Sequence, residues 1–420
     1  MARVPKLLRA LTALTALAFL PEVDSKSKYQ RMLRPNVSRN AALFMGAALL
    51  IASVALGLWL EHRPLDHASP EHTRVSPVTP SPDRPRAAPV ASVGLPLGPD
   101  RGLTEACDSL RTAPDAKTAR RRLADLHNAL ATMGKGEAVS AICQFLDSKA
   151  DTPTHLGFKV APNGLLDQAP TLRTFLLDEL ARLDPAAAAA YAKAVLAKQD
   201  SPDEWAVALR NLAWGDPSPE GRALLEEKTR EMLRYDAWQQ APSAGFLEAF
   251  DAAVFLGGTN LAPSLTELVR KQDNPALAHA AYLALDRLVI NTPLSLLTAL
   301  EAQPDLMQGR EATRADYFAR ADVRDPQQRQ VLENYLLDPL RSAAELEQFA
   351  AVYPNANFMI SPNLLTQTQT PDHSALVSRD AAALQAVQEW LADPRFAKLQ
   401  PSLTTITLRL QQFTVQGPGR

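Results

Sequence analysis

SLTELVRKQDNPALAHAAYLALDRLV, residues 264–289, reads as two helices joined by a sharp corner. Leu265 and Leu268 start an apolar stripe that stops at the charged run Arg270-Lys271. Asp273-Asn274-Pro275 then supplies a capping side chain followed by proline at the first helical position. A side-chain oxygen at that place satisfies a free amide of the first turn, and proline has no amide to waste there. In the second helix Ala281, Leu285, Leu288 and Val289 fall on one face at helical spacing.

The same start signal recurs along the chain. Asp184-Pro185, Ser201-Pro202, Ser218-Pro219, Thr292-Pro293, Asp325-Pro326 and Asp393-Pro394 all carry it. Ser201 through Glu204 and Ser342 through Glu345 read as capping boxes, with the serine and the glutamate each serving the other's amide. In TLRTFLLDELARL (171–183), Leu172, Phe175, Leu176 and Leu180 share a face. Starts at 184, 201 and 218 lie seventeen residues apart, and 274 to 292 is eighteen. One helix and turn every seventeen residues gives a two-helix unit of about thirty-four, the period of stacked helical hairpins. A single hairpin cannot bury its apolar face, so neighbours must stack.

The fold expected is therefore all-α, built of helical-hairpin repeats in an α-solenoid-like array; the alternative is an irregular helical bundle. The 264–289 stretch resembles a HEAT-type repeat, and SPDEWAVALRNLAW (201–214) is similar to its second helix. The resemblance covers about a third of the chain, and it implies a protein-binding scaffold rather than a catalyst.

Upstream lies AALFMGAALLIASVALGLWLEHR (41–63), whose residues 41–60 carry no charge. Twenty helical residues at 1.5 Å each span about 30 Å, the hydrocarbon thickness of a bilayer. LWLEHRP after the run offers no small-x-small cleavage site, so residues 41–60 are expected to be an uncleaved transmembrane signal-anchor. Lys26, Lys28, Arg31, Arg34 and Arg39 precede it, which places residues 1–40 in the cytoplasm and the bulk of the chain outside, in a periplasmic or other extracytoplasmic space. The uncharged stretch Ala10–Leu20 is too short to span. It reads either as an amphipathic surface helix or as a segment upstream of a true start at Met32.

Residues 61–100 form a linker with nine prolines between 64 and 100. Such composition favours extended polyproline II, and at about 3.1 Å per residue it reaches roughly 100 Å from the membrane. His62, His67 and His72 recur there with no rigid element to gather them on a metal. The helical domain is expected over 101–416, with a disordered tail at 417–420.

Two stretches break the helical rhythm. THLGFKVAPNGLLDQAP (154–170) centres on Pro162-Asn163-Gly164 and reads as a small hairpin. YPNANFMISPNLLTQTQTPDHSALVS (353–378) has no helical period, and a loop that long inside a compact domain is usually functional or disordered. Phe358, Met359, Ile360 and Leu364 argue that part of it packs. Its recognition candidates are Asn355, Phe358, Met359, Asn363, Leu364, Asp372 and His373. The C-terminal SLTTITLRLQQF reads as a helix through Leu403, Ile406, Leu410 and Phe413, although Ile406, Leu408 and Leu410 also alternate as in a strand.

Cys107 and Cys143 are the only cysteines. Placed beyond the anchor, on the first and third of three consecutive helices, they are expected to form a disulfide. Its loop of 36 residues would be worth roughly 3 to 4 kcal/mol in the chain-entropy model.

No nucleotide loop, dinucleotide-binding glycine pattern, His-Glu-x-x-His motif or Gly-x-Ser-x-Gly elbow occurs. Asp305-Leu306-Met307-Gln308 resembles a motif of lytic transglycosylases, but the Glu-Ser pair of their catalytic helix is missing. No catalytic residue, cofactor or metal ligand is assigned. His279 reads as a core or groove residue and Arg120-Arg121-Arg122 as a solvated helix face. A net charge of −2 gives no electrostatic case for nucleic acid. The expected function is a membrane-anchored scaffold for a protein or envelope component, its partners the bilayer (through 41–60) and that component. The alternative is a membrane-tethered hydrolase whose site one sequence does not reveal.

Overall fold

The computed structural model describes residues 99–415 apart from 272, 368 and 369, all within the compact unit Ala91–Arg420. The anchor at 41–60, Met32, the linker histidines, all of the linker but its last two residues and the tail at 417–420 lie outside the described residues. Among the described residues no single helix is long and apolar enough to cross a membrane.

The described chain is all-α with one minimal sheet. Helices α1 (Pro99–Arg111), α2 (Ala116–Thr132) and α3 (Lys135–Asp147) precede a hairpin of β1 (Lys159–Val160) and β2 (Leu166–Gln168). Then come α4 (Leu172–Leu183), α5 (Pro185–Leu196), α6 (Pro202–Gly215) and α7 (Pro219–Leu233). The short α8 (Asp236–Gln240), α9 (Ala244–Glu248) and α10 (Asp251–Leu256) lead to α11 (Ala262–Val269), α12 (Pro275–Asn291) and α13 (Pro293–Ala302). The last stretch holds α14 (Glu311–Phe318), α15 (Pro326–Leu337), α16 (Ala343–Val352), α17 (His373–Ala392) and α18 (Gln400–Val415). Two 3-10 turns, Pro304–Met307 and Pro394–Leu399, punctuate it.

The helix starts follow the chemistry of their caps. Asp184 accepts from the amides of Ala186 and Ala187, Ser218 from Gly221, Asn274 from Leu277 and Asp325 from Gln327. Asp393 does the same for a 3-10 turn rather than an α-helix. Thr292 departs from the pattern. Its hydroxyl donates backwards to the Leu288 carbonyl at 3.0 Å, because α12 ends one residue earlier and the chain bends by 119° into α13. Both capping boxes form only half. Ser201 and Ser342 accept from the amides of Glu204 and Glu345, but each glutamate turns inward to an arginine instead of back to the serine.

Helices pack on their sequence neighbour and on the next but one: α1 on α3, α4 on α6, α13 on α15, α14 on α16. The polar contacts between them recur at a regular separation. Asn211 reaches the Leu177 carbonyl, Asn274 that of Gln239 and Tyr317 that of Tyr282, across 34, 35 and 35 residues. Five arginine–carboxylate pairs with little exposure do likewise: Arg173–Glu204, Arg210–Asp178, Arg287–Asp251, Arg314–Glu345 and Arg320–Asp286. Their separations run from 31 to 36 residues.

The expected inner faces are buried. Leu172, Leu176 and Leu180 of α4 and Ala281, Leu285, Leu288 and Val289 of α12 are all buried, with Phe175 half-buried. A chain of ring contacts runs through the C-terminal half, Phe318 to Tyr335 to Phe349 to Tyr353 to Trp390 to Phe396. α18 is a helix and not a strand: Leu403, Ile406 and Leu410 are buried while Leu408 is exposed.

α5 and α6 approach most closely at Gly215. A Cβ there would lie 1.9 Å from the Pro185 carbonyl oxygen and 2.8 Å from Ala189 Cβ. The alanine face of α5 makes the approach feasible, with Ala188, Ala189 and Ala192 buried. Gly215→Ala is therefore expected to cost about 1–3 kcal/mol through overpacking. A denaturation midpoint equal to wild type would contradict this contact.

Cys107 and Cys143 lie on α1 and α3, which do pack together, and the structure has both as free thiols. The sulfurs sit in different surroundings. Cys107 is buried in the N-terminal core with an Arg111 Nη atom 3.7 Å from its Sγ. Cys143 is half-buried on the side of Asp147. Burial pushes both thiols up, which favours their protonated forms. Thiol labelling of the unfolded, unreduced protein is expected to count two thiols; none would show that the bond forms after all.

Candidate functional site

The aperiodic segment runs from Tyr353 to Asp372, shorter than the sequence suggests, because α17 begins at His373. It is held in place by its polar groups. The Asn355 amide donates to the Ala319 carbonyl at 2.8 Å, and Asn363 donates to the carbonyls of Ser361 and Thr366. The strongest tether is Asp251, at the start of α10 and 3% exposed. Its carboxylate accepts the Leu365 amide at 2.6 Å, the Thr366 amide at 2.9 Å and the Thr366 hydroxyl at 2.6 Å. Arg287 of α12 donates to the same carboxylate at 2.5 Å and also to the Thr366 hydroxyl.

The tethered segment forms one wall of an open cleft of about 870 Å³. That is the size of a ligand site, whereas the recess beside Tyr191 and Arg173 holds about 110 Å³. The other walls are the C-terminal end of α12, the turn from α14 into α15, and the first turns of α17. Four arginines line the cleft: Arg287, Arg320, Arg324 and Arg379. Three are paired. Arg287 meets Asp251, Arg320 grips Asp286 with two bonds of 2.5 and 2.8 Å, and Arg324 meets Asp322 at 2.6 Å.

Arg379 differs. Its Nη atoms donate to two backbone carbonyls, Asn355 at 3.2 Å and Arg320 at 2.7 Å. Its Nε is buried without a partner, and among the described residues no carboxylate lies within salt-bridge distance. Desolvation pulls its pKa below the usual guanidinium value, with the more distant Asp322 opposing. Burial likewise raises Asp286, against the pull of Arg320. Asp322 moves the other way: burial favours its neutral form, but hydrogen bonds from Arg324 outweigh that and hold the carboxyl low. Asp372 is held low by the Ser374 hydroxyl. The two carboxylates lining the cleft thus stay ionised at neutral pH and offer no proton. The arrangement suits recognition of charge rather than proton transfer.

Of the seven recognition candidates, Phe358 and Asp372 line the cleft. Asn355, Asn363 and Leu364 are buried and hold the segment's shape. Met359 is 51% exposed, as is its neighbour Ile360 at 67%, so neither packs as expected; the segment turns outward there. His373 is exposed at the first position of α17. The sequence reading missed Asp251, Thr366 and Arg379. Asp251 lies 115 residues from Thr366, and nothing local marks it.

Among the described residues, the remaining histidines and the arginine triple stand apart from the cleft. His279 is exposed rather than in the core, stacked on Tyr282 with ring centres 6.2 Å apart. His127 meets the buried Glu179 at 2.9 Å. Arg120 and Arg121 are solvated as expected, while Arg122 turns in to the Ser109 carbonyl. Among the described residues no group of three or more His, Cys, Asp or Glu side chains is placed to hold a metal ion. No protein-family model, curated protein or solved structure matches this chain.

Proposed function

We propose that this chain is a membrane-anchored, extracytoplasmic helical-repeat scaffold that holds a segment of a partner protein in the arginine-lined cleft. The cleft carries the proposal: it is large, open, and walled by a non-helical segment pinned to the helices through a buried carboxylate. Polar contacts between helices at separations of 31 to 36 residues support a stack of two-helix repeats, an α-solenoid. The uncharged run at 41–60 and the basic cluster before it support an anchor with the helical domain outside.

Photo-crosslinking residues placed at Ile290 and Phe358, inside the cleft, and at the exposed Leu340 test the binding role in intact cells. Discrete adducts from the cleft positions and none from Leu340 are expected; adducts from neither cleft position would sink the proposal. The anchor has its own test. A reporter fused at residue 100 is expected to be active only outside the cytoplasm, and activity confined to the cytoplasm would reverse the topology.

A further inference from the structure

We propose that the cleft recognises a single carboxylate flanked by an apolar side chain, carried on an extended segment of the partner protein, with Arg379 as the residue that reads the charge. This rests on the reading of the cleft as a partner-binding site. Pairing accounts for three of the four arginines: Asp251, Asp286 and Asp322 each neutralise one. Arg379 alone among them has no carboxylate within salt-bridge distance: its hydrogen bonds go only to backbone carbonyls, and its buried Nε–H is unsatisfied. A guanidinium has five donors, and those left over suit a carboxylate. The remaining unpaired charge on the lining, Asp372, is exposed and already solvated, so a ligand gains nothing by neutralising it.

One available cation argues against a polyphosphate or other polyanion. Such ligands need several unpaired cations, and the unpaired Asp372 on the lining would repel them. The apolar side chain has its place as well. Ile290 is 43% exposed although it lines the cleft, and Phe358 and Leu376 line it too. An acidic residue or chain terminus next to an apolar residue matches both features.

The experiment pans a random-peptide phage library on the full-length chain in detergent micelles, then measures binding of the enriched peptides as synthetic probes. Peptides with a carboxylate beside an apolar residue are expected. Amidating that carboxylate on the peptide, which leaves the protein untouched, should weaken binding at least about 30-fold, as for loss of one partner of a desolvated charge pair. Arg379→Gln should weaken it similarly, and Ala356→Trp, which fills the cleft without changing its charge, should abolish it. Peptides lost to Ala356→Trp but indifferent to amidation would overturn the carboxylate proposal and leave the cleft as the binding site. Displacement by inorganic phosphate but not by acetate at equal ionic strength would overturn it in favour of a phosphorylated ligand. Peptides unaffected by Ala356→Trp, or no enrichment at all, would overturn both readings.

Discussion

Asp251→Ala is expected to lower stability by about 3–5 kcal/mol, the cost of stranding one member of a buried pair. In a chain of this size that corresponds to roughly 3–8 °C in the melting midpoint. The substitution takes one carboxylate away from all of its partners at once. Arg287 loses its counter-ion, and the amides of Leu365 and Thr366 lose their acceptor. The damage has a predictable location. Leu365 and Thr366 belong to the Tyr353–Asp372 segment, so their amides should exchange with solvent far faster in the variant while those of α12 stay protected. Asp251→Asn, which keeps one acceptor oxygen, should fall between. Unchanged protection at Leu365 and Thr366 would show that the segment is held by something other than this carboxylate. Because the segment walls the cleft, ligand binding should fall with its protection.

The helix starts were the most legible feature of the sequence because a cap is local chemistry: the side chain and the amide it satisfies sit two or three residues apart. The same locality explains the errors. Ser201 and Ser342 cap as expected, yet Glu204 and Glu345 do not complete their boxes, because a buried arginine some thirty residues away binds a carboxylate better than one backbone amide does. Local reading also underestimates the hydroxyl of Thr292, which serves the helix behind it.

The aperiodic 353–378 stretch stood out, but which of its residues matter did not. Asp251, Thr366 and Arg379 act through partners far away in the chain. A signal was nonetheless present. Asp251 and Asp286 are 35 residues apart, Arg287 and Arg320 are 33 apart, and Asp286 and Arg287 are adjacent. In the structure Arg287 pairs back to Asp251 while Asp286 pairs forward to Arg320. Acid and base recurring at about twice the spacing of the helix starts would have pointed to contacts between helices two apart in the chain.

The pair at Arg314 and Glu345 separates what such a link does for stability from what it does for specificity. Glu345 has no exposed side-chain surface and Arg314 only 7%. Two bonds of 2.7 Å join them, and the Tyr335 hydroxyl donates to the same carboxylate at 3.0 Å. Glu345→Gln keeps the shape but removes the charge, leaving a buried guanidinium uncompensated. A loss of about 3–5 kcal/mol is expected, read from chemical denaturation. Replacing both partners, Arg314→Met with Glu345→Met, should recover most of that loss, because apolar side chains of similar volume carry no desolvation penalty. The recovery has a bound of its own: Tyr335 would still lack an acceptor in the double variant, a residual of about 1–3 kcal/mol. Adding Tyr335→Phe should therefore restore stability further still. If the single charge removal costs under about 1 kcal/mol, the pair is not desolvated as the structure has it. If the apolar triple variant is stable but loses its cooperative transition, the charge links hold neighbouring helices in register rather than hold the fold together.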